Sequence, residues 1–134
     1  MASADLELQK AIYARLVADP EVDGVIGERV FDRIPEDAIF PYLHLGEAQE
    51  ITEDVTCVSA QAIYLTLHGW SREVGYPEVK RLAAAVKDAL HLAPLVLETW
   101  RLVSINHRDT RVFRDQDGLS SHAVIELAAF VEKL

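Results

Sequence analysis

Five histidines, at positions 44, 68, 91, 107 and 122, are the side chains here best able to hold a metal or move a proton near neutral pH. They fall on scattered predicted elements, and only His44 and His68 come together, as cross-strand neighbours on one sheet face. A metal pair would fit there, as would a small ligand-binding module using both rings and a carboxylate. A protein metal site needs three or four convergent ligands, however, and no HxxxH, HExxH or cysteine spacing accompanies these two. Asp115-Gln116-Asp117-Gly118 has the composition of the centre of a calcium loop. In that register the first ligand would be Phe113 and the bidentate glutamate Val124. Neither side chain binds calcium, so these four residues predict a hairpin turn. Cys57 lies beside Glu53 and Asp54, the wrong electrostatic setting for a thiolate nucleophile. No glycine loop cradles phosphate and no GxSxG elbow is present. None of the many carboxylates sits in an apolar pocket that would tune it for acid–base work. The residues predict no catalysis, no metal and no cofactor.

The charge balance narrows the partners. The chain of 134 residues carries a formal net charge of −9 with a pI near 4.9. Binding of nucleic acid through its phosphates needs a basic footprint, and the overall sign here is opposite. Arg108, Arg111 and Arg114 form a local basic patch, read as a solvated or salt-bridged strand end. The N-terminus is acidic (Asp5, Glu7) with no signal-peptide core. The apolar runs fall well short of the roughly 20 residues a membrane span needs. With Cys57 as the single cysteine, no intrachain disulfide can form, and synthesis in a reducing cytoplasm is expected. Half the residues are hydrophobic, as expected for one domain spanning 1–134.

The elements that must position these groups are legible in the periodicity. The central run is 61–71, in which Ile63, Leu65 and Leu67 point one way and Tyr64, Thr66, His68 and Trp70 the other, as strand alternation requires. After a break at Arg72–Gly75, Tyr76-Pro77 opens a helix whose stripe is Val79, Leu82, Ala83, Val86 and Leu90. Upstream, Ser3 caps a first helix with Leu8, Ala11, Ile12 and Leu16 on one stripe, widened by Leu6, Tyr13 and Val17. Asp19-Pro20 ends it, and Gly24 and Gly27 make 20–29 a turn-rich connection. Val30–Ile34 is a short strand, and a second runs from Phe40 to about Ile51. Glu47, Glu50, Glu53 and Asp54 then give an acidic, exposed hairpin arm reaching Thr56. Downstream lie a long strand from Trp100 to Phe113, bulged near Asp109-Thr110, and a last strand from Ser121 to Glu132. The last strand buries Ala123, Ile125, Leu127, Ala129 and Val131 on one face.

This order predicts an α+β fold: a mostly antiparallel β-sheet of four to five strands with two helices packed on one face. The second sheet face, carrying Tyr64, Trp70, Val124 and Phe130, is too apolar for water. Either a segment such as 20–40 covers it or another subunit does.

Three motifs in order carry a family resemblance. They are Phe40-Pro41-Tyr42 with Leu45-Gly46, then Leu65-Thr66-Leu67-His68-Gly69-Trp70-Ser71-Arg72 with Gly75 leading into the 79–90 helix. The third is Arg111-Val112-Phe113-Arg114-Asp115 with Asp117-Gly118 and His122. From Leu8 to Val131 the chain resembles the tail-terminator (tail-completion, head–tail joining) family of long-tailed phages, found also in prophages and gene transfer agents. Gly69 is a departure, standing where a β-branched residue is expected.

The resemblance implies a structural virion protein, made in the bacterial cytoplasm, with neither enzyme activity nor cofactor nor membrane. It implies a homo-oligomeric, six-fold ring that caps the tail tube, stops its polymerisation and meets the head–tail connector protein. DNA then passes through the lumen without sequence-specific binding. A different ring of the same tail, a head–tail adaptor or minor tail protein, shares this acidic, self-associating character. The expected oligomer interface comprises Glu50, Glu53 and Asp54 of the arm, Tyr64 and Trp70 of the face, and Arg111 and Arg114 of the strand end. From charge alone, the two arginines pair with Glu53 or Asp54 of a neighbour.

Overall fold

Asp19 governs how the chain begins. In the computed structural model, which describes residues 3–134, it stops one helix and starts the next. Helix α1 (Ala4–Ala18) is capped by Ser3, whose Oγ accepts from the Leu6 amide at 3.1 Å. Asp19, forced extended by Pro20, closes it and then caps α2 (Pro20–Ile26) through Oδ1, which accepts from Glu21 N and Val22 N at 2.9 and 3.0 Å. The turn-rich connection expected over 20–29 is therefore corrected to a helix for most of its length. A cap, a proline at the first position and Glu21 and Asp23 in the first turn outweigh the roughly 1 kcal/mol that Gly24 costs. Gly27 does break the chain, at φ +60°. Leu6 and Tyr13 are 49% and 43% exposed, so the buried stripe of α1 is narrower than the sequence suggested.

The remaining elements are β1 (Val30–Phe31), β2 (Tyr42–Thr52), β3 (Ala60–Ser71), α3 (Pro77–Leu90), β4 (Trp100–Arg114) and β5 (Ser121–Lys133). They build a five-stranded sheet in the order β1-β2-β3-β5-β4, antiparallel except for the parallel β1–β2 pair. The strand expected over 30–34 is only two residues long, and β2 starts at Tyr42, after a cis Phe40–Pro41 bond. The β4–β5 hairpin turns through Gly118 at φ +72°, with Asp117 accepting from Leu119 N, Ser120 N and Ser120 Oγ at 2.8 Å. The arm between β2 and β3 is a hydrogen-bonded tip: Asp54 Oδ1 accepts from Ala60 N at 2.9 Å, and Val55 bridges Val58.

All three helices lie on one face. Ile63, Leu67, Ile125 and Leu127 from the sheet meet Leu8, Ile12 and Leu16 of α1, Val22 and Ile26 of α2, and Leu82, Val86 and Leu90 of α3. Gly69 is explained here: a Cβ at this position would stand 3.1 Å from Leu82 Cδ2, so a β-branched residue would collide with α3. Glu7 ties this layer to the sheet. It is 7% exposed and accepts from Thr99 N at 2.8 Å, from Trp100 N at 3.3 Å and from the Thr99 hydroxyl. Those donors, the Thr99 side chain first, hold its carboxyl below the usual range.

Candidate functional site

Among the described residues no helix crosses the other face of the sheet. Segment 20–40 does not cover it, because α2 packs on α1 and α3. Of this segment, Phe31 and Phe40 approach that side at one corner, with ring centroids 5.8 and 5.0 Å from Tyr42, and the Asp32 carbonyl reaches His44 Nε2 at 3.1 Å. The face left open divides into two halves.

The first half is aromatic and imidazole-rich. The pairings Tyr42↔Trp70↔His122↔Phe113 and His44↔His68↔Val124↔Arg111 place these side chains in adjacent rows on one side. His122 stacks on Trp70 at 3.8 Å between centroids and 12° between planes, with Phe113 edge-on at 4.9 Å. Its Nε2 lies 2.8 Å from His68 Nδ1, and His68 Nε2 lies 2.8 Å from Glu47 Oε1. Burial, then the neighbouring His68, holds the His122 imidazole down to about 4. The hydrogen bond from His68 holds the Glu47 carboxyl below its ordinary value. Gly46 makes room for this row, since a Cβ there would fall 2.6 Å from His68 Cδ2 and 2.7 Å from the Thr66 carbonyl.

The second half is shallower and built on small residues. Tyr64 stands at its centre, with the Arg108 guanidinium 5.1 Å above the ring. On one side is an open hollow lined by Glu47, Gln49, Thr66, Arg108 and Glu126. On the other is a hollow lined by Glu53, Val55, Ala62, Ala128 and Phe130. Ile51 and Val55, 38% and 66% exposed, carry this apolar surface onto the arm.

Of the seven residues expected at an interface, Tyr64, Trp70 and Arg111 lie on the open face, and Glu53 borders it. The other three are engaged within the chain. Glu50 sits opposite Ile63 on the helix side, and its Oε1 accepts from Asp5 N at 3.0 Å at the start of α1. Asp54 closes its own hairpin. Arg114 pairs with Ser121 on the helix side, its guanidinium 5.3 Å over Tyr76. Glu50 changes side because a bulge between Leu45 and Ala48 shifts the alternation of β2 by one residue.

His44 and His68 are cross-strand neighbours as expected, with rings 6.0 Å apart. The link from His68 to His122 could not be seen in the sequence, since it depends on which strands become neighbours. His91 and His107 lie elsewhere, on the helix side, where His91 Nδ1 accepts from His107 N at 3.0 Å. Among the described residues no group of three or more His, Cys, Asp or Glu could hold a metal ion. No helix among them is long and apolar enough to cross a membrane.

A family model described as tail completion protein gp17 matches residues 10–132. A chain of the structure titled "Virion of native gene transfer agent (GTA) particle" superposes with a TM-score of 0.91 at 26% identity, covering 98% of this chain and 99% of that one. The structure of bacteriophage SPP1 gp17 protein matches at TM-score 0.63 and 21% identity, covering 94% and 89%, and shares the fold. No curated protein sequence matches.

Proposed function

Because the chain belongs to the tail completion protein gp17 family, we propose that it forms a six-fold ring that caps the tail tube of a phage-like particle and meets the head connector. The family and the gene transfer agent neighbour are structural virion proteins, and the chain's place is at the tail. The open sheet face supports ring closure. Ile51 and Val55 expose apolar surface that continues into the open hollow lined by Tyr64 and Phe130, and a heterologous neighbour repeated around an axis would cover it. Net charge −9 suits a lumen through which DNA slides, since like charge discourages phosphate contacts.

The partition of the charged residues refines the interface. Asp54 and Arg114 are occupied within the chain, which leaves Glu53 and Arg111 as the pair to join neighbouring subunits. They cannot meet within one chain. Glu53 lies beside Ala60 while Arg111 lines up through Val124 with His68, eight residues along β3, or roughly 25 Å at strand rise.

Native mass spectrometry of the protein, alone and mixed with its tail-tube protein, tests the proposal. A six-subunit species in either sample, with rings on tube ends by electron microscopy, is the expected result. A monomer in both samples with no tube binding would overturn it.

A further inference from the structure

The two imidazoles on the open face constrain each other. His68 Nδ1 and His122 Nε2 stand 2.8 Å apart, so one nitrogen must donate and the other accept. Two imidazolium rings have no acceptor to offer, and the bond cannot survive double protonation. At the far end of His68, Nε2 faces Glu47 Oε1 at 2.8 Å, and because an ionised carboxylate only accepts, that nitrogen donates while Glu47 is charged. When both rings are neutral, His68 Nδ1 is therefore the acceptor and His122 Nε2–H the donor. When the pair holds one extra proton, the carboxylate places the positive charge on His68. Its Nδ1–H now donates to His122 Nε2, and the proton of His122 sits on Nδ1.

We infer that Glu47, His68 and His122 form a site for a single exchangeable proton, and that filling it reverses the hydrogen bond between the two rings. The transfer balances without a further reactant. A solvent proton binds His122 Nδ1 as the Nε2 proton of that ring passes to His68 Nδ1. The groups facing the pair agree. From β2 come His44 and Glu47, from β4 Arg111, and from the turn after it Asp115; Glu126 follows on β5. Arg111 and His68 oppose a cation on His122, while Asp115 and Glu47 favour it. The Trp70 face beneath the ring also favours a cation. Burial of the ring dominates and disfavours a second proton until about pH 4. The site thus sets both a charge and a bond direction on the open face, and it does so whether or not the chain closes into a ring.

NMR of the full chain with nitrogen-15 labelled histidine reads the tautomer and protonation of each ring. As pH falls, His122 is expected to exchange its Nε2–H for Nδ1–H while His68 becomes doubly protonated, with the second proton entering only near pH 4. Glu47→Gln alters a side chain that is 73% exposed and leaves the fold intact. It removes the carboxylate that fixes the donor at His68 Nε2, and should weaken the first loading, read as a lower pH at which the His122 tautomer reverses. His122→Phe keeps a ring on Trp70 but removes the acceptor, and should move the pH at which His68 loads. A single His122 tautomer throughout, both rings loading at one pH, or an unmoved loading pH in Glu47→Gln would each overturn the proposal.

Discussion

On the helix side of the sheet, Ile63, Ile105, Ile125 and Leu127 are fully sealed. On the other side, Tyr64, Thr66, His68, Trp70 and His122 are half-buried by one another and by side chains of the same face such as Arg108 and Phe113. The first face is held by volume: aliphatic side chains fill the space beneath α1, α2 and α3, and direction matters little. The second is held by direction. A stacked indole, an imidazole–imidazole bond and a guanidinium over a phenol each fix one ring against the next strand. A face of this second kind keeps its shape without a cover and remains available to a neighbour. Substitutions on the two faces should therefore separate stability from assembly.

The largest loss is expected on the sealed side. Ile125 is 0% exposed, and Ile125→Ala should cost about 2–5 kcal/mol in denaturant unfolding. A loss below about 1 kcal/mol would mean that the helix layer is not packed as described.

Acid should act next, and on the open side. The His122 imidazole, ordinarily at 6.5, is held to about 4 in the folded chain. As pH falls the unfolded chain takes this proton first, so the contribution is fully present above about 6.5 and is lost between there and about 4. The cost at the lower end is about 1–3 kcal/mol, read as the difference between parent and His122→Phe unfolding curves. That difference cancels the acid response of Glu7, which both proteins share. Parallel curves across this window would show that the ring is not buried by its stack.

Arg111→Glu should be the smallest in stability and the most selective for assembly. Lying on the open face, it should change unfolding by less than about 0.5 kcal/mol. It should weaken self-association, and the parent's own association should weaken with added salt. Unchanged assembly of the variant would remove the Arg111–Glu53 pairing.

Much of this architecture was written in local patterns. Alternation over 61–71 and 121–131 assigned both faces of the two central strands correctly, because strand side chains alternate whatever their partners. The stripe of α3 and the Asp117-Gly118 turn were equally local. Helix α2 was legible too, in Asp19-Pro20-Glu21, but two glycines masked its cap. The ordered motifs around Tyr42, His68 and Phe113 carried the family likeness that the matching model bears out over residues 10–132.

Only tertiary structure decided what lies across from what. Register between strands is set by distant pairing, and one inserted residue reverses every side chain beyond it. The bulge between Leu45 and Ala48 sent Glu50 to the helix side, where it accepts from the Asp5 amide in the first turn of α1 instead of meeting a neighbouring subunit. The pairing of β3 with β5 brought His68 to His122, 54 residues away, and so created a proton-sharing pair that neither strand encodes alone.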